Sequence, residues 1–135
     1  MITEDFVSFE TAKLLRDNGF NGVCYFIYRD DGTLFYCATH RAQPTTNKNI
    51  AEDNEKNPKF KVYECTCPTQ QMARKWLRET HKIDIAIYPY GEYTCDNYQF
   101  DVYKDQRLII SKDDGFMQYE QALEAAIKYC LEKLV

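Results

Sequence analysis

The chain has 135 residues, a formal net charge of -4 and an isoelectric point near 5.2. This length is typical of one domain, and the negative charge argues against a general attraction to DNA or to anionic lipid. Mean hydropathy is -0.59, and no apolar run reaches the ~20 residues of a membrane-spanning helix. The amino-terminal residues are acidic where a secretory signal is basic, so we expect one soluble domain in the cytoplasm, with no membrane partner.

A helix and a hairpin are predicted at the start of the chain. Ser8 is a suitable cap for a helix that ends near Asn18. The segments 23–29 and 33–39 are rich in aromatic and β-branched residues, and they flank an Asp-Gly dipeptide at 31–32. Because Asp-Gly is typical of tight turns between strands, these segments predict an antiparallel hairpin.

The segment 40–60 is polar and contains a proline near each end. Ile50 is its only large apolar residue before position 60. Such a composition predicts a polar variable loop at about 40–60. A loop of that length is unusual in a compact domain, so the other interpretation is a short helix over about 50–56. The sequence leaves both alternatives open.

Helix periodicity changes to strand periodicity near the middle of the chain. A helix that begins after Thr69 carries its apolar residues on one stripe. It leads into a segment where Ile83, Ile85 and Ile87 alternate with other residues, as they do in a half-buried strand.

Two more strands and a helix are predicted at the end of the chain. The strands cover 98–103 and 107–112, an Asp-Asp-Gly turn follows at 113–115, and a helix over about 118–134 has a regular apolar stripe. The complete order predicts a single α+β domain over 1–135. In it, three helices pack largely on one face of a mainly antiparallel sheet.

The chain has six cysteines, which raises the question of a metal site. Cys65 and Cys67 are separated by one residue, whereas zinc-binding pairs have two or more residues between them. We therefore expect no metal site and no cofactor, and the roles of Cys65, Cys67 and Cys95 stay open. Three cysteines lie in apolar patterns and are expected to be buried free thiols: Cys24, Cys37 and Cys130.

A basic face is predicted on the helix that follows Thr69. It consists of Arg74, Lys75, Arg78 and Lys82, of which the first, third and fourth are spaced at i, i+4 and i+8. Four basic residues and one acid, Glu79, give residues 74–82 a charge of +3 on an acidic protein. One interpretation is an ordinary solvated helix face, and the other is a contact with an anion or a nucleic acid.

Tyrosines cluster around the predicted loop that follows the Ile83 strand. Tyr90, Tyr93 and Tyr98 lie in a segment with glycine and proline, a composition found in binding surfaces. Tyrosine suits such surfaces because it supplies a large contact area at low entropic cost. The alternative is that these rings cover the end of the sheet and pack with Trp76.

No reaction signature is found in the chain. The carboxylate pairs Asp30-Asp31 and Asp113-Asp114 lie in predicted turns, where aspartate usually bonds its own backbone. His81 at a helix end is explained by its favourable interaction with the helix dipole. We therefore expect no catalytic residues and a protein that is not an enzyme.

Three phrases, at 7–20, 68–90 and 119–134, resemble one family of small uncharacterised proteins encoded in phages and mobile elements of gut bacteria. The resemblance covers about half of the chain. The family has no known activity, so the resemblance implies a context rather than a reaction: a bacterial cytosol during phage or element expression. It also implies that the segment between the hairpin and Pro68 varies among members.

These observations lead to two functional hypotheses. The first is a non-enzymatic protein-binding module that contacts a host or element-encoded protein through the tyrosine loop or an exposed sheet edge. The alternative is a nucleic-acid-associated accessory protein that uses the basic helix face. A homodimer is compatible with either hypothesis, because small domains often have uncovered strand edges.

Overall fold

A computed structural model of the protein describes residues 5–37, 43–90 and 97–135, apart from the side chains of Phe60 and Tyr90. The α+β class predicted from the sequence is confirmed. Within these ranges no helix is long and apolar enough to cross a membrane.

The chain separates into two compact units. The first unit is Phe6–Thr69, and the second unit is Gln70–Val135 together with residues 1–5. In the part of the chain that the structure describes, each unit has two α-helices and one three-stranded antiparallel sheet. The prediction of three helices on one sheet was therefore wrong in detail, because the polar segment supplies a fourth helix and the strands divide into two sheets.

The first unit begins with the predicted helix and hairpin. Its elements are α1 (Phe9–Asp17), β1 (Phe26–Arg29), β2 (Leu34–Tyr36), α2 (Asn47–Lys56), a 3₁₀ turn (Pro58–Phe60) and β3 (Tyr63–Thr66). Ser8 caps α1 by accepting a hydrogen bond from the Thr11 amide at 3.2 Å. The hairpin is confirmed: Arg29 N donates to Thr33 O at 2.9 Å, and Gly32 takes the positive φ of 85° that the turn requires.

Helices cover both faces of the sheet in the first unit, whose strand order is β2-β1-β3. Tyr28 faces α1, since its ring lies 5.2 Å from that of Phe9 and its hydroxyl donates to Val7 O at 2.6 Å. Ile27, the preceding residue, faces the other side and packs in a cluster with Ile50 of α2. Because successive strand residues point to opposite faces, α1 and α2 lie on opposite sides, and the prediction that helices share one face was wrong here.

The polar segment contains α2, so the short-helix alternative is confirmed, with a start at Asn47 rather than Ile50. The Asn47 side chain is buried; its Nδ2 donates to Phe20 O and its Oδ1 accepts from Thr66 N, each at 2.8 Å. Further along the helix, Asn54 Nδ2 donates to Tyr63 O at 3.0 Å. These amides hold a helix whose only buried apolar residue is Ile50.

The second unit consists of α3 (Gln70–His81), β4 (Ile83–Tyr90), β5 (Asn97–Lys104), β6 (Arg107–Phe116) and α4 (Tyr119–Lys133). Its strand order is β4-β5-β6. Both helices contact β4 and one another, and alternate strand residues such as Ile85 and Val102 are buried beneath them. The predicted apolar stripe of α4 is confirmed by its buried residues: Ala122, Leu123, Ala126, Ile127, Cys130 and Leu131.

β6 is longer than the sequence predicts. The Asp-Asp-Gly segment at 113–115 continues the strand instead of turning, and Phe116 pairs with Tyr98 of β5. A register shift between Tyr98 and Phe100 accommodates the extra residues, and Gly115 takes a φ of 75°. Turn residues in an edge strand can thus form a bulge rather than end the strand.

Candidate binding sites

The basic helix face is less exposed than its spacing suggests, because Arg74 is engaged within the second unit. Its Nη2 donates to Ile85 O in β4 at 2.6 Å, and its Nη1 donates to the Tyr119 hydroxyl at 3.2 Å. The Arg74 side chain therefore joins α3 to β4 and to the start of α4. A guanidinium held in this way fastens the helix to the sheet and presents less charge to a ligand.

The other basic residues of this face have acidic neighbours. Lys75 Nζ lies 3.9 Å from Glu79 Oε1, in an exposed i, i+4 pair. Arg78 and Lys82 are exposed and line a shallow cleft together with Asp84, Asp105 and Gln106. The two cations and two carboxylates of this cleft balance in charge, so the local positive field is weaker than the count of +3 over 74–82 implies.

Of the three tyrosines predicted to form a binding surface, the structure describes the ring of Tyr98. Tyr93 lies outside the described residues, and so does the Tyr90 side chain. The Tyr98 ring is half-buried on the helix side of the sheet, where it meets the Tyr119 ring edge-on at 6.1 Å and 87°. For Tyr98 the packing alternative therefore describes the structure better than an exposed binding ring.

A polar network lies on the sheet face that the helices leave uncovered. Tyr88 donates to Asp101 Oδ1 at 3.0 Å and also hydrogen-bonds the Gln99 side-chain amide. Partial burial and the Asp101 carboxylate raise the pKa of Tyr88. Because these three side chains form hydrogen bonds with one another, their polar groups are already paired, and the arrangement does not resemble a catalytic site.

The outer edge of β6, which we call the β6 edge, is a candidate site that was predicted only in general terms. Among the described residues β6 pairs with β5 alone, so its other side carries free backbone donors and acceptors. Leu108 and Ile109 are 55% and 44% exposed on this strand. The run of three apolar residues after Arg107 was the available sequence signal, although sequence alone does not reveal which strand lies at an edge.

The opposite edge strand of the same sheet, β4, is engaged at one position, where Arg74 of α3 donates to the Ile85 carbonyl. The two edges of the sheet thus differ: β4 is engaged at Ile85, whereas β6 pairs with β5 on one side only among the described residues.

A second candidate site, the α2 pocket, lies in the first unit between α2 and the sheet. It encloses about 290 Å³. Its floor includes the buried Ile27, Cys37 and Ile50, with Phe35 and Tyr63 packed against them. The complete lining in the described part of the chain is Ile27, Phe35, Cys37, Gln43, Pro44, Thr45, Asn49, Ile50, Glu52, Asp53 and Tyr63.

The thiols are placed for packing. Cys24, Cys37 and Cys130 are buried, as predicted, and so are Cys65 and Cys67, whereas Cys95 lies outside the described residues. Burial raises the pKa of Cys24 to about 11 and that of Cys65 and Cys130 to about 12. No cluster of three or more potential metal ligands occurs in the residues that the structure describes.

Comparison of the chain with models of known protein families, with curated proteins and with solved structures found no match. The similarity to phage proteins noted in the sequence therefore stays a prediction. The function has to be inferred from the two candidate sites themselves.

Proposed function

We propose that the protein is a non-enzymatic binding module whose partner, another protein, adds a strand to the β6 edge. The observation that carries this proposal is the exposed edge of a ten-residue strand that presents Leu108 and Ile109. An added strand would satisfy the free backbone groups of β6. Pockets or apolar side chains of the partner would then contact Leu108 and Ile109, which would give the binding its specificity.

Two features support this site over the alternatives. The β4 edge is engaged by Arg74 at Ile85, which favours β6 as the side to which another strand would be added. β6 also exposes two apolar side chains, Leu108 and Ile109, between the charges of Arg107 and Lys112. Exposed apolar side chains on an edge strand fit a surface that a partner covers.

The state of the thiols supports the non-enzymatic part of the proposal. Catalysis by cysteine requires a thiolate, and thiolates form readily only at a lowered pKa. Burial has the opposite effect on Cys24, Cys65 and Cys130, whose pKa values lie above the ordinary value.

The partner that we propose is a host or element-encoded protein, met in a bacterial cytosol after entry of a phage or mobile element. The nucleic-acid alternative would rely on Arg78 and Lys82, which remain exposed. It is the weaker proposal because Asp84 and Asp105 share their cleft. It predicts retention on DNA or RNA that is lost with rising salt.

A capture experiment with matched variants tests the β6 edge. Tagged wild type and the Ile109→Lys variant are incubated with nuclease-treated lysate of the native bacterium, and retained proteins are quantified by mass spectrometry. Val62→Lys is the control, since Val62 and Ile109 are both 44% exposed and Val62 lies in the first unit. We expect the partner to be retained by wild type and Val62→Lys and lost with Ile109→Lys.

The size of the recovered complex distinguishes possible partners. Pairing of β6 with a second copy of this chain would give a dimer in sedimentation analysis, and Ile109→Lys would convert it to a monomer. Equal retention by Ile109→Lys and wild type would contradict binding through the β6 edge, and so would a partner that is captured from untreated lysate but not from nuclease-treated lysate.

A further inference from the structure

The α2 pocket has no role in the proposed function, and its size points to a small occupant. Ligand pockets usually enclose about 300–1,000 Å³. At about 290 Å³ the α2 pocket lies at the small end of this range. It suits a compact molecule or a single side chain rather than a nucleotide or a cofactor.

The floor of the pocket selects an apolar body. Ile27 and Ile50 are 3% and 5% exposed, and they form one cluster with Cys37. The rings of Phe35 and Tyr63 lie 5.7 Å apart at an angle of 34° beside this cluster. Such a surface gains free energy when an aromatic or aliphatic group displaces water from it.

The rim of the pocket selects positive charge. Glu52 of α2 lines it, Asn49 adds an amide, and none of the described lining residues is basic. Asp53 also lines the pocket, but it has an interaction of its own, so the preference for a cation depends on Glu52. Outside the lining, the Arg29 guanidinium already lies over the Phe35 ring, 4.9 Å from its centre. A carboxylate attracts cations, and the position of Arg29 shows that an aromatic ring of this cluster accepts one, so the apolar floor and Glu52 together favour an organic cation.

We propose that the α2 pocket binds a small organic cation. Its apolar body would lie on the floor near Ile50, and its ammonium or guanidinium group would meet Glu52 at the rim. This site lies in the first unit and is independent of the β6 edge. Two sources share this chemistry: a free amine and a lysine or arginine side chain of a peptide.

Phenethylamine is a suitable first probe, because it joins a phenyl ring to an ammonium group. Its binding to the full chain is followed by amide chemical shifts in nuclear magnetic resonance spectra. We expect saturable shifts around Ile27 and Ile50, and binding weakened about five- to tenfold by Glu52→Gln. Glu55→Gln is the matched control, because it removes the same charge from an exposed position of α2 outside the lining, and it should change affinity less than about twofold.

Hydrocinnamate tests whether charge decides binding, since it carries a carboxylate on a similar apolar body. We expect it to bind at least about tenfold more weakly than phenethylamine. Equal binding of the two probes, equal effects of Glu52→Gln and Glu55→Gln, or no saturable shifts at millimolar phenethylamine would overturn the proposal.

Protection of Cys37 gives a second readout of occupancy. Its thiol lines the pocket and donates to Tyr25 O at 2.7 Å. Phenethylamine should slow alkylation of Cys37, mapped by mass spectrometry, while the rate at Cys130 in the second unit stays unchanged. Slowing at both sites or at neither would contradict occupancy of the pocket.

A capped Gly-Lys-Gly peptide separates the two sources of the cation. Tighter binding of phenethylamine than of the peptide assigns the pocket to a free amine. Tighter binding of the peptide assigns it to a partner side chain. Either result supports a cation-binding site, and failure of both probes to bind would contradict it.

Discussion

Helices α2 and α4 are held in place by different kinds of contact. α4 buries six residues along one stripe, including Leu123 and Ile127. α2 buries one large apolar residue, Ile50, and is fastened mainly by the amides of Asn47 and Asn54. An apolar stripe fills the space beneath its helix, whereas a few directional hydrogen bonds hold a helix while space remains beside it. The α2 pocket lies in that space.

The same contrast separates the two proposed binding sites. In the second unit the apolar core fills the space beneath α4, and the proposed binding site is a strand edge, which suits another protein chain. The first unit offers a partly filled interior, which suits a small group.

The largest effect is expected from the apolar stripe. Leu123→Ala removes a fully buried side chain of α4 and leaves a cavity, so we expect the free energy of unfolding to fall by about 3 kcal/mol. Urea denaturation measures this loss. Gln121→Ala, at an exposed position of the same helix, should change stability by less than about 0.5 kcal/mol. A loss below about 1 kcal/mol for Leu123→Ala would mean that α4 is not held by its stripe.

The next effect concerns the amides of α2. Asn47→Ala leaves Phe20 O and Thr66 N without their partner, so we expect a loss of about 2–3 kcal/mol. Amide hydrogen exchange over 47–56 should accelerate, because α2 loses its attachment. Asn54→Ala removes one bond and should cost about 1 kcal/mol. Equal, small effects of both variants would show that Ile50 alone holds the helix.

The smallest effect is a pH dependence of the first unit. Arg16 Nη1 bonds Glu64 Oε1 at 2.7 Å, and this contact holds the pKa of Glu64 below its usual range. A carboxylate with a lowered pKa stabilises the folded state above its unfolded pKa, and the contribution is lost as pH falls through the folded value. The pair is partly exposed, so we expect at most about 1 kcal/mol.

Urea denaturation of wild type and Glu64→Gln between neutral and acidic pH measures this contribution. The difference between them should be largest near neutral pH and should shrink in acid, where Glu64 of the wild type is protonated. A difference that stays constant with pH would show that the charge of Glu64 does not contribute.

Elements defined by apolar patterns could be predicted from the sequence. The spacing of Leu123 and Ile127 indicates α4, and the alternation of Ile83 and Ile85 indicates β4, because burial requires those periods. The Asp-Gly dipeptide likewise indicates the hairpin. These predictions depend on neighbours along the chain, which the sequence displays directly.

Features that depend on partners distant in sequence were not predictable in this way. The polarity of Asn47 suggests a loop, yet its partner Thr66 N is brought near only by the fold. Spacing at i, i+4 places Arg74 with Arg78, but it does not reveal the Ile85 carbonyl that Arg74 binds. The two candidate sites were not predictable for the same reason. The α2 pocket results from helix packing and the β6 edge from strand order, and neither has a sequence motif.

Amide hydrogen exchange of β6 tests the central claim most directly. Exchange at 107–112 is compared between the free protein and the complex recovered from native lysate. Strand addition predicts that exchange there slows by at least about tenfold in the complex, while 47–56 is unchanged. Unchanged exchange at 107–112, with slowing confined to other segments such as 74–82, would contradict binding through the β6 edge.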